Sequence, residues 1–232
     1  MIKILFLSAN PKDTTLLRLG EEVRNIKEKL RASEQREIFE FEQELALKPT
    51  DIQTYLLHHK PNIVHFSGHG SNAGEIILED NNGRSKPVPK EALEGLFKTL
   101  KDNIRCVVLN ACFSESQATA IAKSIDCVVG MSKAIQDGAA ISFATSFYQA
   151  LGYGRNVQAA FDLGCNQISM ECTPNTAREA MITGDLGNLS DQKDIPKLIT
   201  ANGVDASKIY FVDSDDKPIN KDSNAITVGR YR

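Results

Sequence analysis

Short apolar runs alternate along the chain with segments of helical period. Residues 2–7, 63–66, 104–110 and 127–131 are nearly continuous apolar runs, which is typical of strands buried on both faces of a sheet. From Thr14 to Leu30 the apolar side chains instead recur every three or four positions, with charged residues between them. This spacing predicts an amphipathic helix that begins near Thr14. Strands that alternate with helices predict an α/β fold whose sheet is mainly parallel, with helices on both faces.

The remaining segments add predicted elements of both kinds. Further helices are predicted from Pro49 and over residues 90–101, 114–124, 137–152 and 156–170. Residues 36–46 alternate as a strand does, residues 75–88 predict a small β-hairpin around a glycine turn, and 208–212 predict a strand that pairs with 226–228 in a second hairpin.

The chain length and the fading of this pattern indicate the domain organisation. With 232 residues the chain can bury the core of one domain of generous size. The alternation of strands and helices weakens after Cys172. We therefore interpret residues 1–232 as a single domain, of which about 173–232 form a peripheral C-terminal extension.

Composition and charge narrow the classes of partner. The 27 basic and 30 acidic residues give a net charge of −3, so neither nucleic acid nor an anionic membrane is an expected partner. No apolar run approaches the roughly 20 residues that span a bilayer, and the apolar start is too short for a signal peptide. The five cysteines lack a CxxC spacing, which predicts free thiols in the cytoplasm, and neither a metal nor a cofactor is expected.

Two strand ends carry reactive side chains. One buried run ends in Ser-Gly-His-Gly at residues 67–70, and another ends in Asn-Ala-Cys at residues 110–112. The carboxyl ends of parallel strands meet at one edge of a sheet, where reactive groups are usually found. A histidine within hydrogen-bond reach of a cysteine can generate the nucleophilic thiolate. We therefore predict that His69 and Cys112 meet as a base and a nucleophile.

Other histidines and cysteines are better explained by packing. A cysteine at a strand end is more often a packing residue than a catalytic one. The catalytic assignment of Cys112 therefore rests on the small residues before it and on the helix that follows. The other four cysteines lie within apolar patterns and are assigned structural roles. His65 also lies inside an apolar run, which favours a hydrogen-bonded core histidine, whereas His69 is flanked by two glycines.

The two motifs together resemble a known family. The sequence His-Phe-Ser-Gly-His-Gly at 65–70, and Leu-Asn-Ala-Cys-Phe-Ser at 109–114, with the cysteine 43 positions after His69, resembles the CHAT family of bacterial caspase-like peptidases. The resemblance extends over the body of the chain and fades after about residue 172. It implies a caspase-hemoglobinase three-layer sandwich and cleavage of a protein substrate. It also implies that Cys112 is the nucleophile, that His69 is the base, and that the N–H groups of Gly70 and Cys112 form the oxyanion hole.

The resemblance also suggests where a substrate side chain binds. In arginine-specific relatives an acidic residue after the strand that follows the cysteine binds a basic P1 side chain, and Asp137 matches that place. Asp137 is equally suited to be the N-cap of the helix that follows, and one residue can serve both purposes. Met131, Ser132 and Gln136 would line the same S1 pocket.

The leading hypothesis is a cysteine endopeptidase that cleaves a partner protein, after Arg or Lys. The resemblance implies a place in bacterial antiviral defence or regulated cell death, with activation by a partner, by a sensor protein or domain, or by self-cleavage. One alternative is a catalytically silent protein-interaction module of the same fold, because Phe113 departs from the caspase pattern. Another alternative is a nucleotide binder that uses the loop at 8–11, although this loop lacks a glycine-rich phosphate motif.

Overall fold

The computed structural model describes residues 1–171, 189–213 and 217–219. Its strands are β1 (Ile2–Ser8), β2 (Phe39–Glu44), β3 (Ile63–Ser67), β4 (Ile76–Glu79), β5 (Ser85–Val88), β6 (Cys106–Asn110), β7 (Cys127–Met131) and β8 (Pro196–Thr200). Its helices are α1 (Leu19–Arg31), α2 (Pro49–His59), α3 (Lys90–Thr99), α4 (Glu115–Ile121), α5 (Asp137–Gly152) and α6 (Val157–Glu171).

Six of the strands form one sheet in the order β2-β1-β3-β6-β7-β8. All neighbours pair in parallel except β7 and β8, which pair antiparallel at the edge. The separate two-stranded sheet of β4 and β5 is the predicted antiparallel hairpin. The mainly parallel sheet with an appended hairpin is thus confirmed.

Helices cover both faces of this sheet, because successive strand side chains point to opposite sides. In β1, Ile4 and Phe6 pack in a core with α1, α5 and α6, whereas Leu5 and Leu7 pack in a second core with α2, α3 and α4. All four side chains are buried. The three layers predicted from the sequence are therefore present.

Two predicted elements differ from the structure. Helix α1 begins at Leu19 rather than near Thr14, and Leu16 is 84% exposed in the preceding loop. The strand predicted over 208–212 is not formed, because this segment bonds to the ends of other elements: the carbonyl of Ile209 accepts from Val157 N–H at 2.9 Å. Its predicted partner, 226–228, lies outside the described residues.

The C-terminal region contributes to the main sheet through β8, which is hydrogen-bonded along β7. Residues Ile209 and Phe211, which produced the strand-like pattern, are buried in the core with α6. Over the ranges that the structure describes, none of the helices combines the length and the apolar character needed to cross a membrane.

Candidate active site

The register of the sheet brings the two reactive strand ends together. Strands β3 and β6 are direct neighbours, and Ser67 is paired with Asn110 at the carboxyl end of the ladder. His69 and Cys112 each follow that pair by two residues. Gly68 N–H also donates to the Asn110 carbonyl at 3.3 Å, so the two chains stay in contact as they leave the sheet.

Both side chains line one small cavity at this edge. The cavity has a volume of about 50 Å³, and its lining consists of Leu17, Glu22, Ser67, Gly68, His69, Asn110, Ala111, Cys112, Ile135, Asp137 and Ala140. His69 and Cys112 are half-buried. Ligand pockets usually measure about 300–1,000 Å³, so the cleft is narrow in this state.

The imidazole of His69 is oriented by a backbone carbonyl. Its Nε2 lies 2.7 Å from the carbonyl oxygen of Thr15, in the loop between β1 and α1. A carbonyl oxygen can only accept a hydrogen bond, so Nε2 carries the proton. In the neutral ring, Nδ1 is then the nitrogen with a free lone pair, as a general base requires.

The sulfur of Cys112 is held by the loop between β7 and α5. Ile135 N–H donates to Sγ at 3.4 Å, and Sγ lies 3.8 Å from the Ile135 carbonyl oxygen. The next residue, Phe113, has a φ of +58°, a left-handed conformation that is strained for a side chain of this size. Strained backbone of this kind often occurs at functional sites.

Gly70 and Cys112 are in direct backbone contact. A β-carbon on Gly70 would lie 1.8 Å from the Cys112 carbonyl oxygen, so the contact requires glycine. The ladder bonds around Gly70 are made by His69 and Ser71 instead. Among the described residues, no acceptor receives the N–H of either Gly70 or Cys112.

A buried carboxylate supports the floor of the cavity. Glu22 is 2% exposed and accepts from His65 Nε2 at 3.0 Å and Asn110 Nδ2 at 2.7 Å. Ser67 Oγ donates to the other carboxylate oxygen at 2.5 Å. Three donors from β3 and β6 therefore converge on one side chain of α1. Asn110 Oδ1 is buried without a hydrogen-bond partner in the described part of the chain.

His65 is a packing residue, as the sequence indicated. It is fully buried, stacks on Phe6 with ring centroids 4.8 Å apart, and lies 3.2 Å from the Tyr148 hydroxyl through Nδ1. Burial raises the pKa of Tyr148, so its hydroxyl stays protonated at neutral pH. The two histidines of the motif are thus divided between core and cavity.

Asp137 lines the cavity but is not the N-cap of its helix. It is the first residue of α5, whose N-cap is Gln136. Its Oδ2 accepts from Arg18 Nε at 2.7 Å. The N-cap alternative for Asp137 is therefore wrong.

The other predicted S1 residues lie elsewhere. Met131 is fully buried among core residues, and Ser132 Oγ donates to the Ile195 carbonyl at 3.0 Å. The backbone N–H of Gln136 donates to Gln192 Oε1 at 3.0 Å. None of the three residues belongs to the lining of the cavity.

The other described cysteines are poor nucleophiles. Burial raises the pKa of Cys127 and of Cys165 to about 12, and raises that of Cys106 strongly as well. These side chains stay protonated thiols at neutral pH. Cys172 lies outside the described residues. Across residues 1–171, 189–213 and 217–219, no group of three or more His, Cys, Asp and Glu side chains is arranged to hold a metal ion.

Sequence reasoning did not identify Thr15, Arg18 or Glu22 as parts of this site. Thr15 contacts His69 through its backbone carbonyl, which every residue type has, so the sequence does not identify it. Glu22 left a signal, because it lies three positions after Leu19 and four before Ile26, within the apolar stripe of α1. A carboxylate in such a stripe requires buried donors.

Comparison with known proteins identifies a family. The family model described as CHAT domain matches residues 5–181. A "Probable protease" of Gillisia limnaea is 25% identical over 169 residues, which cover 71% of this chain and 30% of that protein. A "Roc-COR-CHAT protease" of an unknown prokaryotic organism is 26% identical over 180 residues, which cover 75% of this chain and 17% of that protein. The chain thus spans less than a third of the length of either relative.

Solved structures show the fold. A secreted C11 cysteine protease from Bacteroides thetaiotaomicron, in complex with an irreversible peptide inhibitor, aligns with a TM-score of 0.53 at 10% identity, over 73% of this chain and 59% of that one. Caspase-1 from Spodoptera frugiperda aligns with a TM-score of 0.51 at 13% identity, over 86% of this chain and 85% of that one. The caspase-like fold is thereby confirmed.

Proposed function

The chain belongs to the CHAT-domain family, and we propose that it is a cysteine endopeptidase in which Cys112 and His69 form the catalytic dyad. The observation that carries this proposal is the register of β3 and β6: His69 and Cys112 each follow the paired residues of the ladder end by two positions, and both line one cavity. The names of both curated relatives, "Probable protease" and "Roc-COR-CHAT protease", support the same activity.

The proposed reaction follows from the two side chains. His69 Nδ1 takes the proton of the Cys112 thiol, and the thiolate attacks the scissile carbonyl carbon. The C–N bond then breaks, and the amine leaves with the proton from His69. Water, deprotonated by the same nitrogen, hydrolyses the thioester and returns the free thiol. Throughout, the Thr15 carbonyl would keep Nε2 protonated and the ring in orientation.

The backbone between the two turns supplies the proposed oxyanion hole. The N–H groups of Gly70 and Cys112 belong to segments in van der Waals contact, and neither is used by another described residue. Donors of this kind stabilise the negative charge that develops on the carbonyl oxygen, and losing one typically costs about 10²–10³ in rate.

A basic P1 side chain is the proposed specificity. Asp137 is the carboxylate at the rim of the cavity, with 30% of its side chain exposed, and it already pairs with one guanidinium. A carboxylate in this position favours the cation of an Arg or Lys substrate over a neutral or acidic side chain.

The proposed setting is the bacterial cytoplasm, in a defence or regulated-death system in which a sensor or partner protein activates the peptidase. Both curated relatives are much longer than the segment that matches this chain. Such additional length is consistent with a regulated catalytic domain. The narrow cavity also supports a state that must open before a substrate binds.

Covalent labelling with peptidyl chloromethyl ketones tests the dyad. We expect the P1-Arg reagent to alkylate Cys112 with loss of chloride, and Cys112→Ala and His69→Ala to remove this label. Cys165→Ala is the matched control and should label like the unaltered protein. Peptide mapping by mass spectrometry locates the label. No label at Cys112, or equal labelling of the Cys112→Ala variant, would favour the silent interaction module instead.

A further inference from the structure

The proposed P1-binding carboxylate already holds an internal cation. Arg18 Nε lies 2.7 Å from Asp137 Oδ2, and Arg18 Nη1 lies 3.0 Å from Glu21 Oε2. The hydrogen bond to Asp137 raises the pKa of the Arg18 guanidinium, which stays charged. A basic substrate side chain that binds Oδ2 of Asp137 therefore competes with Arg18.

The backbone beside Arg18 is fixed, whereas its side chain is accessible. The side-chain amide of Asn10 makes two hydrogen bonds to the backbone of Leu17. Its Oδ1 accepts from the Leu17 N–H at 3.3 Å, and its Nδ2 donates to the Leu17 carbonyl at 3.2 Å. Leu17 itself lines the cavity that contains Cys112. The Arg18 side chain, by contrast, is 54% exposed. Rotation of this side chain can release Asp137 while the Thr15 carbonyl remains on His69.

A second cavity offers room for the displaced guanidinium. It has a volume of about 450 Å³, lies between α1, α5 and α6, and is lined by Arg18 and Gly138. Three carboxylates, Glu21, Glu28 and Glu171, also line it, together with Lys29. Because Glu21 already contacts Arg18 Nη1, the guanidinium would keep one carboxylate when it leaves the other.

We propose that Arg18 is a specificity-determining gate on the S1 subsite: it neutralises Asp137 in the free protein and moves toward Glu21 when a substrate presents a basic P1 side chain. This inference rests on the proposed function, in which Asp137 binds P1. A neutral or acidic P1 residue cannot replace the guanidinium at Asp137, so it leaves the gate closed. An Arg at P1 replaces Arg18 with the same planar donors, whereas Lys supplies a point charge.

Steady-state kinetics on peptides that differ only at P1 test the gate. With Arg at P1, we expect Arg18→Gln to lower KM about two- to fivefold at unchanged kcat, the range of an exposed ion pair. Arg24→Gln, an exposed neighbour on α1, is the matched control and should leave both constants unchanged. In an Asp137→Asn background, Arg18→Gln should no longer change KM, because the two residues act as a pair.

The outcomes separate this inference from the proposed function. If the unaltered protein cleaves after Arg and Arg18→Gln leaves KM unchanged or raises it, the gate is wrong and the peptidase stands. If the protein cleaves after Asp and Arg18→Gln abolishes that cleavage, Arg18 is instead a direct ligand for an acidic P1 residue. If no peptide is cleaved and Cys112 is not labelled, both proposals fail.

Discussion

The carbonyl oxygen of Cys112 lies 1.8 Å from the position that a β-carbon on Gly70 would occupy. Real β-carbons essentially never approach another atom closer than 3.0 Å, so any other residue would push the two turns apart. These turns carry the proposed base and nucleophile. The spacing of the two turns thus requires glycine at position 70, because of the close contact and not because of a positive φ.

Replacing Gly70 by alanine should separate the turns. We expect Gly70→Ala to lower kcat at least about 10²-fold, because the proposed oxyanion donors move relative to the sulfur. The overpacked contact should also cost about 1–3 kcal/mol of unfolding free energy. Gly95→Ala is the control: nothing lies within 4 Å of its added carbon, and a helical alanine should add up to ~1 kcal/mol. Wild-type rates in Gly70→Ala would refute the oxyanion assignment.

The Glu22 carboxylate should be a major source of stability. Glu22→Ala leaves His65, Ser67 and Asn110 without their shared acceptor in a buried site, so we expect a loss of about 3–5 kcal/mol in urea unfolding. Glu22→Gln should lose less, because its amide oxygen still accepts.

Glu28→Ala is the control for Glu22, since Glu28 is exposed on the same helix and should change stability by less than about 0.5 kcal/mol. A loss below ~1 kcal/mol for Glu22→Ala would contradict the network, because it would mean that its donors find other partners.

The hydrophobic pattern predicted the bounds of those strands and helices whose buried positions recur regularly along the whole element. The bounds of β7 and α5 agree with those predicted, because each is a continuous buried run or a full helical stripe. The helix predicted from Thr14 begins at Leu19, since hydrogen bonds from Asn10 and to Asp137 hold the preceding loop. Ile209 is apolar because it is buried in the core, and the same apolar pattern led to the prediction of a strand that is not formed.

The proposed dyad could be predicted from the sequence because it depends on strand ends, which apolar runs mark clearly. The rest of the site depends on contacts between distant segments. Arg18 and Asp137 are 119 positions apart, and neither residue type signals the other. Glu22 lies within the apolar stripe of α1, which indicates a buried carboxylate, but this position does not identify the donors on β3 and β6 that it binds.

Stability should fall at alkaline pH through Cys127. Burial raises the pKa of its thiol from 9.0 to about 12, so the unfolded chain loses a proton that the folded chain keeps. A raised folded pKa contributes stability below the unfolded pKa, and this contribution is lost as pH rises from about 9 toward 12. We expect a loss of about 1.4 kcal/mol between pH 7.5 and pH 10 from this thiol.

Urea unfolding of Cys127→Ala at both pH values checks that contribution. The variant should be less stable at pH 7.5, and the deficit should shrink by about the same ~1.4 kcal/mol at pH 10. Val128→Ala, the next buried residue of β7, removes packing without a thiol and should keep the full alkaline loss. Parallel pH profiles for Cys127→Ala and the unaltered protein would contradict this assignment.

The Asn10 side chain should control catalysis from outside the cavity. Its two hydrogen bonds to Leu17 fix the loop whose Thr15 carbonyl orients His69. Asn10→Ala removes both bonds, so we expect kcat to fall about 10-fold or more, as misplaced catalytic groups do. Stability should drop by only about 1–3 kcal/mol, because neutral hydrogen bonds contribute about 0.5–1.5 kcal/mol each. Asn81→Ala, in the exposed hairpin turn, should change neither quantity. An unchanged kcat in Asn10→Ala would show that the Thr15 carbonyl orients His69 without the two hydrogen bonds between Asn10 and Leu17.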